Sequence, residues 1–199
     1  MNLPFDNDKV DWQLVANTVH WYKDSGKPME RAFASLLFEV GISEASGGQF
    51  RYVGNEEVGV DLRINSNNEG LEIKSQFDLF PKTNRGKKTK KMGYTSFHSA
   101  EKTCDDFDIH CDHLILIDKN VDRFRCAYIS KETMEKHRTE IFTENKSGIF
   151  AKFSMDHLTF ITDKLVSHPT HDFQPIEVIQ NIVREEVLKL YNERNQTDT

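Results

Sequence analysis

The sequence predicts an α/β fold, a mixed central β-sheet flanked by helices. Three observations lead there: amphipathic helical stretches lie towards both ends of the chain, short apolar runs lie between them, and two of those runs alternate with the period of a strand. The 199 residues contain no stretch of linker composition, so a single domain covering 1–199 is expected.

A first helix is expected from about Asp11 to Lys23, where Trp12, Val15, Ala16, Val19 and Tyr22 recur at helical spacing. SGKP at 25–28 interrupts it, and Pro28 suits the first turn of a second helix. That helix, MERAFASLLFEV, puts Ala32, Phe33, Leu36, Leu37 and Val40 on one face and is expected to stop near Gly41. An extended piece follows around Phe50 to Val53. GVDLRIN then alternates, with Val60, Leu62 and Ile64 on one side and Asp61, Arg63 and Asn65 on the other. SNNEG is turn-forming, and LEIKSQF alternates again, setting Leu71 and Ile73 against Glu72, Lys74 and Gln76. Further on, a helix is expected over about Ser99–Phe107, strands at HLILID and RFRCAYI, and a helix from Lys131 to Phe142. Residues 149–162 read as strand or extended, and a last helix spans about Pro175 to Asn192.

Composition narrows the function. Hydrophobic content of 37% and charged content of 29% are those of an ordinary water-soluble domain. LILI at 114–117 is typical of the longest apolar runs, far short of a membrane span. The opening MNLPFDNDKVDW lacks the basic and apolar regions of a signal peptide, so a cytoplasmic location without a membrane partner is expected. Cys104, Cys111 and Cys126 are too few and too irregular for a disulfide framework. Two of them fall in CDDFDIHCDH beside His110 and His113, but that spacing matches no common zinc module.

Charge is unevenly spread. KTNRGKKTKK at 82–91 carries six basic side chains and no acid, so a net charge of −6 overall becomes −12 for the other 189 residues. A segregated basic segment on an acidic body suggests contact with a polyanion. The segment, read as a loop over 81–93, offers Lys82, Arg85, Lys87, Lys88, Lys90 and Lys91 to phosphates. Tyr94, Ser96, Phe97 and His98 follow as candidate groove contacts, although His98 reads equally as a surface histidine.

The two alternating strands should pair antiparallel across their turn. Keeping their apolar faces together matches Ile64 with Leu71 and Leu62 with Ile73. Asp61 then lies across from Lys74 and Arg63 across from Glu72. Asp61, Glu72 and Lys74 share one face even if the register moves by two. Directly opposed residues are about 5 Å apart at Cβ, which suits two carboxylates holding one divalent cation. The competing reading is a cross-strand salt-bridge ladder, Asp61–Lys74 and Arg63–Glu72, on a solvated face.

GVD, ten residues and EIK together resemble the core signature of the PD-(D/E)xK nuclease superfamily, which includes most type II restriction endonucleases. GKPMERAFASLL at 26–37 adds Glu30, in the place where many members carry a helix glutamate. The resemblance covers 26–77, with Val60 where the signature has proline. It implies a restriction-endonuclease-like core with Asp61, Glu72, Lys74 and Glu30 as catalytic residues. Asp61 and Glu72 would ligate Mg²⁺, for which Mn²⁺ can substitute, and Lys74 would lie beside the attacking water. Gln76 would position Lys74, or be a plain sheet-surface amide. The implied activity is Mg²⁺-dependent hydrolysis of double-stranded DNA by a homodimeric type II restriction endonuclease. A junction-resolvase-like repair nuclease and a non-catalytic DNA-binding protein of the same fold are the alternatives.

Overall fold

The computed structural model describes residues 3–24, 31–54, 57–77, 83–84, 87–88, 91–98, 104, 107–118, 124–145, 148–164, 179, 181–185 and 188–189. Helix α1 (Trp12–Asp24) begins where the Asp11 carboxylate accepts the Leu14 N–H at 3.0 Å, a side-chain cap for an otherwise orphan donor. Helix α2 (Arg31–Ala45) runs four residues past the expected stop at Gly41. Val40 and Ile42 on either side of that glycine are fully buried, and its Cα faces Thr18 of α1, so packing overrides the weak helix propensity of glycine. The helix ends instead at Gly47, whose φ of +63° is the left-handed conformation that closes helices.

Six strands form the main sheet: β1 (Phe50–Tyr52), β2 (Leu62–Ile64), β3 (Gly70–Phe77), β7 (His113–Asp118), β8 (Phe124–Ser130) and β11 (Thr159–Lys164), in that spatial order. The β3–β7 pair is parallel and all the others are antiparallel, so the sheet is mixed as expected. One face buries Leu62, Ile64, Leu71, Ile73, Ile115 and Ile117 against Val15, Val19, Phe38 and Ile42 of α1 and α2.

The opposite face is covered differently from the expectation. A second sheet of β6 (Lys91–His98), β10 (Gly148–Ser154) and β9 (Phe142–Asn145) lies there, in that order. Ile149, Ala151 and Phe153 of β10 pack on Leu114, Leu116, Ala127 and Ile129, with Phe107 and Ile109 completing the layer. Of the helix expected over 99–107, residue 104 is a turn and Phe107 is irregular, and the rest lies outside the described residues. The helix expected over 131–142 is two short ones, α3 (Lys131–Lys136) and α4 (Arg138–Ile141), broken at His137 and followed directly by β9. Met134 and Ile141 anchor both to the same core.

The basic segment is not a plain loop. Within it β4 (Thr83–Asn84) pairs with β5 (Lys87–Lys88), and β6 starts at Lys91. The β-forming residues Tyr94, Thr95 and Phe97 favour a strand, and a partner more than fifty residues away in sequence, β10, completes it. Helical residues 181–185 fall within the expected last helix, where Ile179 and Val183 pack on Leu36, Leu37 and Val40. No helix among the described residues is long and apolar enough to cross a membrane.

Candidate active site

The hairpin that carries the signature closes more tightly than expected. Asn68 adopts φ +61°, its N–H donates to the Ile64 carbonyl (2.8 Å), and Ile64 N–H donates to the Glu69 carbonyl (3.0 Å). Asparagine tolerates this left-handed conformation well. The consequence is a register two residues away from the one inferred from apolar matching: Leu62 pairs with Leu71 and Arg63 with Gly70.

That shift changes the partners but leaves the faces alone. Arg63, expected opposite Glu72, instead forms an ion pair with Glu57 and donates to the Asn68 carbonyl at 2.7 Å. Glu72 pairs with Lys74 on its own strand. The cross-strand ladder therefore does not form, and Glu72 is only 8% exposed rather than solvated.

Asp61 sits immediately before β2, at the point where β2 stops covering β3. Its backbone continues the pairing, with Asp61 N–H donating to the Leu71 carbonyl at 3.0 Å. Its side chain then takes the place of the missing strand residue: Ile73 N–H donates to Asp61 Oδ2 at 2.6 Å. The approach to this point is set by Gly59, at φ +70°, where an added Cβ would meet the His110 side chain at 3.0 Å.

A third acidic group belongs to the cluster. Glu39, on α2, is near enough for the charges of Asp61, Lys74 and Glu72 all to act on its ionisation. Burial foremost, then repulsion from Asp61, push its carboxyl up to about 8 against the opposing pull of Lys74. Burial likewise raises Asp61 to about 6; the Ile73 N–H opposes this and the Glu72 charge adds to it. Burial works against the Lys74 ammonium, but the Glu72 charge, its hydrogen bond and Asp61 outweigh it and hold Lys74 above its ordinary range. The Cys111 thiol, fully buried, hydrogen-bonds Glu72, and burial with the Glu72 charge pushes it far up, so it stays protonated as a neutral donor.

Chemically this is a half-buried cluster of three carboxylates and one ammonium. Its three carboxylates outnumber its one ammonium, and burial more than charge holds Glu39 and Asp61 above the usual carboxylate range. The carboxylates are nevertheless not drawn into one tight ligand set, because Glu72 is held by Lys74 and Cys111 and Asp61 by Ile73.

Asp61, Glu72 and Lys74 are thus brought together as their shared face required. Glu30 lies outside the described residues, and the helix carboxylate that does reach the cluster is Glu39. Its signal was present in the sequence as the only charged residue between Arg31 and Glu44, inside an otherwise apolar helical run. Cys111 carried no comparable signal. In its neighbourhood, where the Cys and His spacing matches no common zinc module, Cys111 faces Glu72, while His113 hydrogen-bonds Tyr128 (2.9 Å) and Glu69 (2.7 Å). Among the phosphate and groove candidates, Lys87, Lys88, Lys91, Tyr94, Ser96 and His98 fall on β5 and β6. Lys82, Arg85 and Lys90 lie outside the described residues. Comparison of the chain with family models, curated proteins and solved structures finds no match.

Proposed function

We propose that the chain is a Mg²⁺-dependent endonuclease that hydrolyses phosphodiester bonds in double-stranded DNA, in the manner of a type II restriction enzyme acting as a homodimer. The observation that supports this most directly is the charge-deficient carboxylate cluster of Asp61, Glu72 and Glu39 around Lys74. Three carboxylates against one ammonium leave an excess of negative charge that a hard divalent cation would offset. The donor set fits Mg²⁺: it is all oxygen, with Asp61 and Glu72 as ligands. The Ile73 carbonyl is a further candidate, since it leaves the strand on the same edge as the N–H that Asp61 already holds. When bound, Mg²⁺ would neutralise the scissile phosphate and acidify the attacking water.

The chain's own residues supply the rest. Lys74, held as ammonium by Glu72 and Asp61, stabilises negative charge developing on the phosphate and orients the water. Glu39, close enough to feel the charges of Asp61 and Lys74, would hold a proton near the site. The basic segment, continuous with β6, would track the DNA backbone through its phosphates.

Digestion of supercoiled plasmid with Mg²⁺ or Mn²⁺ tests the reading. Wild type should cut, and Asp61→Ala, Glu72→Ala and Lys74→Ala should each lower the rate by at least about a hundredfold. DNA binding should survive in Lys74→Ala. Discrete fragments would support site-specific restriction, and cutting only of branched DNA would favour a resolvase. Undiminished cleavage in any of the three variants would overturn the site.

A further inference from the structure

We propose that His137, Glu140 and His157 form a separate metal site, one that takes a nitrogen-preferring transition ion such as Zn²⁺ rather than Mg²⁺. The three come from two parts of the chain. His137 is the break between α3 and α4, Glu140 lies one turn further on in α4, and His157 closes the 3-10 turn Met155–His157 between β10 and β11. Positions i and i+3 share a helix face, so His137 and Glu140 point the same way. The fold adds the third, by seating α4 against β10 through Ile141 and Ile149.

The distances are those of long hydrogen bonds and also suit a ligand set. His137 Nδ1 lies 3.3 Å from Glu140 Oε1, and His157 Nε2 lies 3.5 Å from Glu140 Oε2. The ligand atoms of all three residues fall within 4.8 Å of one another, the one such group among the described residues. A charge-assisted hydrogen bond is about 2.7–2.9 Å long, and this chain makes them at that length elsewhere, as in His113–Glu69 at 2.7 Å. Both contacts to Glu140 are clearly longer. A tetrahedral ion with bonds of about 2.0–2.1 Å separates its ligand atoms by about 3.3–3.4 Å, close to both histidine–Glu140 distances, each of which runs to a different carboxylate oxygen. The two imidazole rings lie 4.7 Å apart, tilted by 34°, and one nitrogen of each faces the Glu140 carboxylate.

Access and donor type point the same way. The His157 side chain is 8% exposed and held in place, whereas that of Glu140 is 64% exposed, leaving the outer side of the site open to a water as fourth ligand. Two imidazoles and a carboxylate suit Zn²⁺, whereas Mg²⁺ prefers oxygen and retains its waters. One local contact must yield: Ser154 N–H donates to His157 Nδ1 at 3.3 Å. Ligation through Nε2 places the ring proton on Nδ1 and gives up that long hydrogen bond. An ion here would tie the α3–α4 corner to the β10–β11 turn.

Calorimetric titration of the metal-stripped full chain with Zn²⁺, in excess Mg²⁺ to occupy the oxygen-only cluster around Asp61, tests the site. One equivalent should bind, and Zn²⁺ should raise the Tm of the wild type. Glu140→Gln, a change on an exposed side chain, and His137→Ala should each weaken Zn²⁺ binding at least about tenfold and remove the Tm shift. Glu72→Gln should leave Zn²⁺ binding unchanged, so this site can stand or fall independently of the nuclease reading. Absence of Zn²⁺ binding, equal binding in wild type and Glu140→Gln, or its loss in Glu72→Gln would each overturn the proposal.

Discussion

Glu39 offers the sharpest physical test of the cluster, because its substitution by glutamine should change how stability depends on pH. A carboxyl whose folded-state value lies above its unfolded value keeps its proton longer in the fold. Its contribution to stability is complete at low pH and is lost as pH rises through the interval between the two values. For Glu39 that interval runs from the ordinary 4.5 to about 8. Within it the folded state loses about 1.36 kcal/mol per pH unit. Between about pH 5.5 and pH 8 the loss amounts to about 3 kcal/mol, an upper figure because the charge is shared with Asp61 and Glu72. Asp61, raised from 3.8 to about 6, adds a similar loss mainly at lower pH. Glu39→Gln keeps the side-chain shape and removes the titration. Urea denaturation with EDTA present, at several pH values across this range, should show wild type losing stability with rising pH more steeply than Glu39→Gln, and the variant the more stable protein at pH 8. Parallel pH profiles for the two proteins would show that Glu39 is not buried beside Asp61.

Two further outcomes follow from other parts of the molecule. Changing Lys87, Lys88, Lys90 and Lys91 to alanine should weaken DNA binding to all sequences and flatten the log–log salt dependence by up to roughly three to four units; unchanged slopes across a salt series would make the segment a mere connector. Cys111 and Cys126 are fully buried, and burial holds both thiols protonated, whereas Cys104 is half-buried. Mass spectrometry after alkylation of the native protein should therefore find Cys104 labelled first and the other two only on unfolding; early labelling of Cys111 would contradict its place beneath Glu72.

The alternation of GVDLRIN and LEIKSQF determined by itself that Asp61, Glu72 and Lys74 share a face, since side chains along a strand repeat every two residues whatever the register. The same local patterning located α1, most of α2, and the strands β7 and β8. Tertiary structure decided what that patterning leaves open. The apolar faces match equally well in two registers, and the choice fell to a backbone detail, Asn68 in the left-handed conformation. Gly41 reads as a helix stop until α1 packs against it. Strand β6 becomes recognisable only beside β10, and the sheet the two form with β9 covers one face of the main sheet. Glu39, Cys111 and the His137–Glu140–His157 group depend on contacts between segments from about twenty to about forty residues apart in sequence. Such contacts exist only once the core has closed, because their partners are chosen by packing rather than by the residues on either side.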